Sequence, residues 1–340
     1  MGRPKYLVAA VALAGVAVAA VVLATRTNPS SVGGADVQGS GRTAPPLAAK
    51  GWINSPPLTP AALAGKVVVY DFWTYSCVNC VRTIPYVRSW YDRYKAEGLV
   101  VIGVHSPEFD FEKNHANVQK AVTKLGVDYP VALDDDMTIW NAFGNQYWPA
   151  DYIFNRSGKE ADTHFGEGGY AQTETLLRKL LGVAPSSPHA VVGGSEGGTD
   201  GPGDITPETY NGSERGDQNF ASPEPLTDGT GSFSAPSSLA VHQHALSGTW
   251  TVSAQYVQSA DAGSAIVLRY FAGQVNLVMA TADGNPVSAS VQVDDRPPTT
   301  VQVTGSDLYP LVADNSDGTH TLRITAQSPG LQAYAFTFGG

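Results

Sequence analysis

Cysteine is almost missing from this chain: 340 residues hold two. That scarcity excludes a disulfide-dense scaffold and any zinc site built from cysteine alone. Positive charge is scarce too, with 21 Lys and Arg against 31 Asp and Glu and a net charge of −10. A nucleic-acid groove needs a basic face, so no nucleic-acid partner is expected. The shortage is uneven. Up to Val183 the chain carries 17 basic and 16 acidic residues; from Ala184 on it has four arginines, no lysine and 15 acids. Two regions of different character are therefore expected, split near residue 183. The apolar share of 42% is too high for general disorder, while 36 Gly and 23 Pro leave room for links between folded domains.

Polar residues are absent from Leu7 to Ala24, directly after Arg3 and Lys5. As a helix this run would span roughly 27 Å at about 1.5 Å per residue, near the thickness of a bilayer core. The leading charges orient it with the rest of the chain outside the cytoplasm. Its length favours a retained membrane anchor; the small residues at its end leave cleavage near Ala24 open. Residues 25–50, rich in Ser, Gly, Pro and Thr, read as a flexible tether.

Residues 51–183 alternate between strand and helix patterns. Lys66–Tyr70 continues through Asp71-Phe72-Trp73 as a buried strand, and Leu99–Val104 reads as a second. Val81, Ile84, Val87, Trp90 and Tyr91 have helical spacing. Phe111–Leu125 reads as one helix, Tyr129–Leu133 as a strand and Met137–Phe143 as a short helix. A strand–turn–strand at Asp151–Lys159 and a closing helix at Thr173–Leu181 follow. The order predicts a mixed sheet with helices on both faces.

The chemistry sits at Cys77-Val78-Asn79-Cys80, where strand gives way to helix. The first cysteine would lie at a helix N-terminus, whose free N–H groups and dipole favour a thiolate. The second, one turn on, can reach it. Cys77 is thus expected to be the exposed nucleophile and Cys80 the shielded resolving thiol. Zinc would need two further ligands, and the histidines at 105, 115, 164 and 189 are scattered, so neither metal nor cofactor is expected. A four-residue disulfide loop would stabilise little, which speaks against a purely structural bond.

The stretch Asp71-Phe72-Trp73-Thr74-Tyr75-Ser76-Cys77-Val78-Asn79-Cys80 resembles a thioredoxin active-site segment. Pro85 matches the proline of the active-site helix, and Trp148-Pro149 matches the cis-proline facing the cysteines. With Val101-Ile-Gly-Val-His105-Ser-Pro-Glu108-Phe109, the wording is similar to the exported TlpA-like thioredoxins, in particular the soluble part of DipZ proteins. The resemblance implies that Asp71 is a buried acid moving a proton for Cys80. It implies that Pro149 holds residue 148 for pairing with a bound substrate strand, with Trp73 and Trp148 as substrate contacts. Exported disulfide-bearing proteins would be the partners, with a DsbD/CcdA-like membrane protein as electron donor. One departure is Thr83, where many relatives carry a glutamate; an acid role at that position is therefore absent. His105 and Glu108 are candidates for groups near the sulfurs, or else solvated loop residues. A thiol peroxidase would want a proline where Tyr70 stands.

Residues 184–204 read as a linker and 205–340 as an all-β module with strands at Thr249–Tyr256, Ala265–Phe271, Val275–Ala280, Ser288–Val293, Thr300–Val303, His320–Thr325 and Ala333–Phe338. The resemblance implies a galactose-binding-like jelly roll, often called carbohydrate-binding-like. Trp250, Tyr256, Tyr270 and Tyr309 are candidates for stacking on a neutral glycan, though core packing fits their strand positions better. Asp314–Gly318 reads as a hairpin turn rather than a calcium loop. With no thiol, the module is expected to position the enzyme without shaping its site, so a chain ending near Val183 would keep full activity on a small disulfide. The alternative class is a wall-binding module whose thioredoxin-like domain is a redox-inert spacer.

Overall fold

The computed structural model describes residues 41–184, 205–313 and 318–339. The α/β part is organised by one strand, β2 (Val67–Trp73), buried at all seven positions. Such a strand must be covered on both faces. It pairs in parallel with β3 (Leu99–His105), which pairs in parallel with β4 (Val131–Leu133). Antiparallel strands β1 (Gly51–Ile53), β5 (Ala150–Phe154) and β6 (Glu160–Phe165) complete the order β1-β4-β3-β2-β5-β6. Val87, Trp90, Val122 and Leu177, from α2 (Val78–Tyr94), α3 (His115–Leu125) and α5 (Tyr170–Leu181), share one core with Trp73. Ile139 and Phe143 of α4 (Thr138–Phe143) pack with Phe72 and Tyr152 in a second core. The expected mixed sheet with helices on both faces is what forms.

Local chemistry corrects several bounds. Residues 110–125 are not one helix: a 3₁₀ turn over Asp110–Lys113 stops at Asn114, whose Oδ1 accepts from the N–H of Ala116 at 2.9 Å and caps α3. Residues 41–50, expected in the tether, lie on the sheet: Thr43 bridges Lys159, Leu47 packs on the second core, and the Lys50 N–H donates to Leu133 O at 2.7 Å. Strand β1 and the single turn α1 (Pro60–Leu63) are too short to carry a periodic signal.

The β-module is one antiparallel sheet folded over a single core that holds Trp250, Leu268, Leu277, Leu322 and Phe336. After β7 (Thr209–Tyr210) and β8 (Gly229–Phe233), its strands are β9 (His244–Val252), β10 (Val257–Ser259), β11 (Ala265–Phe271), β12 (Gln274–Thr281), β13 (Val287–Val293), β14 (Thr299–Val303), β15 (Asp307–Ala313), β16 (Thr319–Ala326) and β17 (Leu331–Gly339). They lie in the order β14-β13-β16-β11-β9-β10-β17-β12-β15, with β7 on β17 and β8 on β9. β11 spans Ala265–Phe271, as expected. The strand expected at Thr249–Tyr256 instead ends at Val252 (β9, His244–Val252), and the chain turns before β10 (Val257–Ser259). β15 (Asp307–Ala313) escaped detection because it contains Pro310, which an edge strand tolerates. The turn expected at 314–318 lies largely outside the described residues.

Candidate active site

Strand β2 ends at Trp73 and α2 begins at Val78, so four residues carry the chain from sheet to helix. Cys77 is the N-cap, with extended backbone, and its Sγ accepts from the Cys80 N–H at 3.3 Å. One of the helix's free N–H groups therefore points at sulfur, where it stabilises negative charge. Both cysteines are free thiols here. Cys80 is fully buried, and that burial, with the contact to Cys77, pushes its thiol well above the ordinary value. Cys77 was expected to be exposed, but only 6% of its surface is. Its chain neighbours Tyr75, Ser76 and Val78 are themselves buried.

Behind the pair lies Asp71, also buried, and pushed up to about 7 by loss of hydration. The Tyr129 hydroxyl donates to its Oδ2 at 3.1 Å and opposes the shift. Asp71 is close enough for its charge to raise Cys80 further. Directly across the β2–β5 ladder stands Asp151. Burial first, and then the charge of Asp71, raise Asp151 as well. Two carboxyls on opposed positions of a buried ladder disfavour joint ionisation, so the pair retains a proton near neutral pH. The sequence reading missed Asp151; its signal was a lone acid in the otherwise apolar strand after Pro149.

The Trp148–Pro149 peptide is cis. Trp148 packs against the core that contains both cysteines, lies with its ring tilted 37° against Trp140 at 4.1 Å, and donates through Nε1 to Ser106 O at 3.1 Å. Trp73 cannot touch a substrate. As the last residue of the central strand it is fully buried, with its ring edge-on to His105 at 5.3 Å. His105 is not a solvated loop residue either. It is buried, burial pulls it down to about 3, and it contacts Thr74 Oγ1 at 3.4 Å. Glu108 turns toward the β-module, accepting from Tyr210 and Arg215.

Thr83 only returns its hydroxyl to Cys80 O at 2.9 Å. A buried acid nevertheless adjoins the cysteine turn: Glu112, from the insertion after β3, accepts from the hydroxyls of Thr74 (2.5 Å) and Ser76 (2.7 Å). No spacing rule links residues 36 apart, so the sequence hid it. In the β-module, Trp250 and Tyr270 are fully buried and unavailable to a sugar ring. Tyr309 donates to Gly305 O at 2.8 Å, and Tyr256 packs 5.0 Å from Tyr334.

Two family models match the chain: Redoxin over residues 41–175 and the Thioredoxin like C-terminal domain over residues 206–339. Over 335 residues the chain is 38% identical to Protein DipZ of Mycobacterium bovis, an alignment covering 91% of this chain and 44% of that protein. The chain thus spans less than half the length of those relatives. It is 30% identical over 118 residues to the thiol-disulfide oxidoreductase ResA of Bacillus thuringiensis, covering 35% of this chain and 65% of ResA. A solution structure of a thioredoxin-like protein in the oxidized form aligns at a TM-score of 0.39 and 26% identity, over 44% of this chain and 98% of that one.

Proposed function

We propose that this chain, related to DipZ over most of its length, is a thioredoxin-like thiol–disulfide oxidoreductase that exchanges disulfides with exported proteins through Cys77 and Cys80. The observation that carries the reading is the pairing of an N-capping sulfur with a buried thiol one turn on, backed by Asp71. Cys77, as thiolate, attacks one sulfur of a partner disulfide; an S–S bond forms to the partner, and the partner's other sulfur leaves as thiolate. Asp71 takes the proton from Cys80, whose sulfur then attacks Cys77 Sγ and expels the second partner thiolate. Two electrons pass to the partner, and the enzyme keeps a Cys77–Cys80 disulfide. A reducing direction requires a donor to restore the dithiol, and a DsbD/CcdA-like membrane protein would supply those electrons.

Location outside the cytoplasm rests on the apolar run Leu7–Ala24 with Arg3 and Lys5 before it. No helix among the described residues is long and apolar enough to cross a membrane, and that run lies outside them. With Trp250 and Tyr270 buried, the glycan reading of the β-module loses its best aromatic platforms. The test is trapping. Cys80→Ser should accumulate mixed disulfides with partners and lose turnover by about 10³-fold or more, while Cys77→Ser should trap none. Trapping by Cys77→Ser instead would reverse the assignment.

A further inference from the structure

Glu112 plays no part in the exchange just described, yet it ends a continuous path from the β-module to the cysteine turn. Its Oε1 accepts from the Thr74 hydroxyl (2.5 Å), the Ser76 hydroxyl (2.7 Å) and the Ser76 N–H (3.3 Å). Its Oε2 accepts from the N–H groups of Glu108 (2.7 Å) and Phe109 (3.0 Å). A fully buried carboxylate survives only with such donors around it. The side chain therefore fastens the loop before Cys77 to the loop after β3.

The β-module grips that second loop from its other side. Glu108 Oε1 accepts from the Tyr210 hydroxyl and from Arg215 Nη1, both at 2.9 Å. The Asp110 N–H donates to Gln255 Oε1 at 3.0 Å. Phe109 sits under the Arg215 guanidinium, 5.4 Å from it, and meets the edge of Tyr334 at 5.1 Å. Phe109 joins Val278, Ala280, Tyr334 and Ala335 in one buried apolar cluster drawn from both parts of the chain. Phe111 lies 4.9 Å from Tyr334 and 6.0 Å from Tyr75, two residues before Cys77. The expectation of a module that leaves the site untouched does not match this interface.

We propose that Glu112 is a positioning residue through which the β-module sets the reactivity of Cys77. The module holds residues 108–111; Glu112 passes that restraint to Thr74 and Ser76; the turn then keeps the Cys80 N–H aimed at Cys77 Sγ. The proposal rests on Cys77 being the attacking thiol. Its test reads the protein's own thiol, so a wrong trapping direction and a failed coupling remain separate results.

The measurement is the pH profile of Cys77 alkylation by iodoacetamide, in the full chain carrying Cys80→Ser, where Cys77 is the sole thiol. Melting temperature is recorded beside it. The first variant, Arg215→Met with Tyr210→Phe, lies wholly in the β-module. The second, Glu112→Gln, keeps one acceptor but turns N–H groups toward converging donors. Each should slow alkylation near neutral pH by about threefold or more, and the two together should fall short of the product of their separate effects. An unchanged profile in the folded Arg215→Met/Tyr210→Phe protein overturns the proposal, even if its melting temperature drops, because Glu112 would then be structural glue. Multiplying effects also overturn it. If Glu112→Gln fails to fold, the module variant decides alone.

Discussion

The α/β part and the β-module bury very different groups. In the first, Asp71, His105, Glu112, Asp134, Glu174 and Arg178 are all buried; in the described part of the second, His244 is the only buried side chain among the acids, histidines, lysines and arginines. Burying a charge is costly unless it is compensated, so partners separate structural from chemical uses. Asp134 accepts from the Ile139 and Trp140 N–H groups and the Ser106 hydroxyl, which makes it the fastening of α4. Glu174 accepts from Arg93 and the Tyr94 hydroxyl and ties α5 to α2. Asp71 differs: Tyr129 reaches only its Oδ2, and its buried Oδ1 has no hydrogen-bond partner. An acid kept short of donors holds its proton and can exchange it near neutral pH. The described residues of the β-module carry nothing of that kind beside a thiol, and the route proposed from it to Cys77 runs through the hydrogen bonds and packing of residues 108–112.

The contrast breaks first at Asp71. Asp71→Asn should slow turnover by roughly 10²-fold above neutral pH, by removing the base for Cys80. The parent rate should also fall as pH drops through about 7, where the carboxyl takes up its proton. In the variant that slope should flatten. A stopped-flow pH series on a small disulfide checks both, and an unchanged slope would return Asp71 to a packing role.

A smaller effect is expected at His244, whose two ring nitrogens are buried without a hydrogen-bond partner. Burial lowers it to about 4 in the folded protein, from 6.5. Above that ordinary value both folded and unfolded forms are neutral. As pH falls toward 4 the unfolded chain takes up the proton first, so stability is lost. His244→Phe should therefore retain roughly 1–3 kcal/mol more stability than the parent at pH 4, relative to each protein at pH 7. Denaturant titrations at the two pH values measure it. Equal acid sensitivity would assign the loss to the buried groups of the α/β part.

The smallest effect sharpens the interface. Lys124 meets Asp307 at 2.6 Å, but both side chains face solvent in part. Lys124→Ala should cost less than about 1 kcal/mol. It lies off the Glu112 path and should leave the Cys77 alkylation profile unchanged. A shift as large as that expected of Arg215→Met would show that any loosening of the interface, rather than the Glu108–Glu112 route, reaches the thiol.

Local patterns carried much of this protein. The run Val67–Trp73 could only be a buried strand, and Cys77-Val78-Asn79-Cys80 at its end could only place two sulfurs one helical turn apart. The alternation of Ala265–Phe271 likewise marked a strand with one buried face. These features depend on neighbours within a few residues, where spacing and backbone period suffice. Other features depended on distance in the fold. Asp151 faces Asp71 only because β5 returns antiparallel beside β2, and Glu112 reaches Thr74 only because the insertion folds back over the cysteine turn. Burial was decided there too: Trp73, Trp250 and Tyr270 have the composition of binding aromatics, yet each faces a core. Sequence spacing ranks residues by position along the chain, whereas the proton affinity of an acid and the reach of a ring depend on what surrounds them in three dimensions.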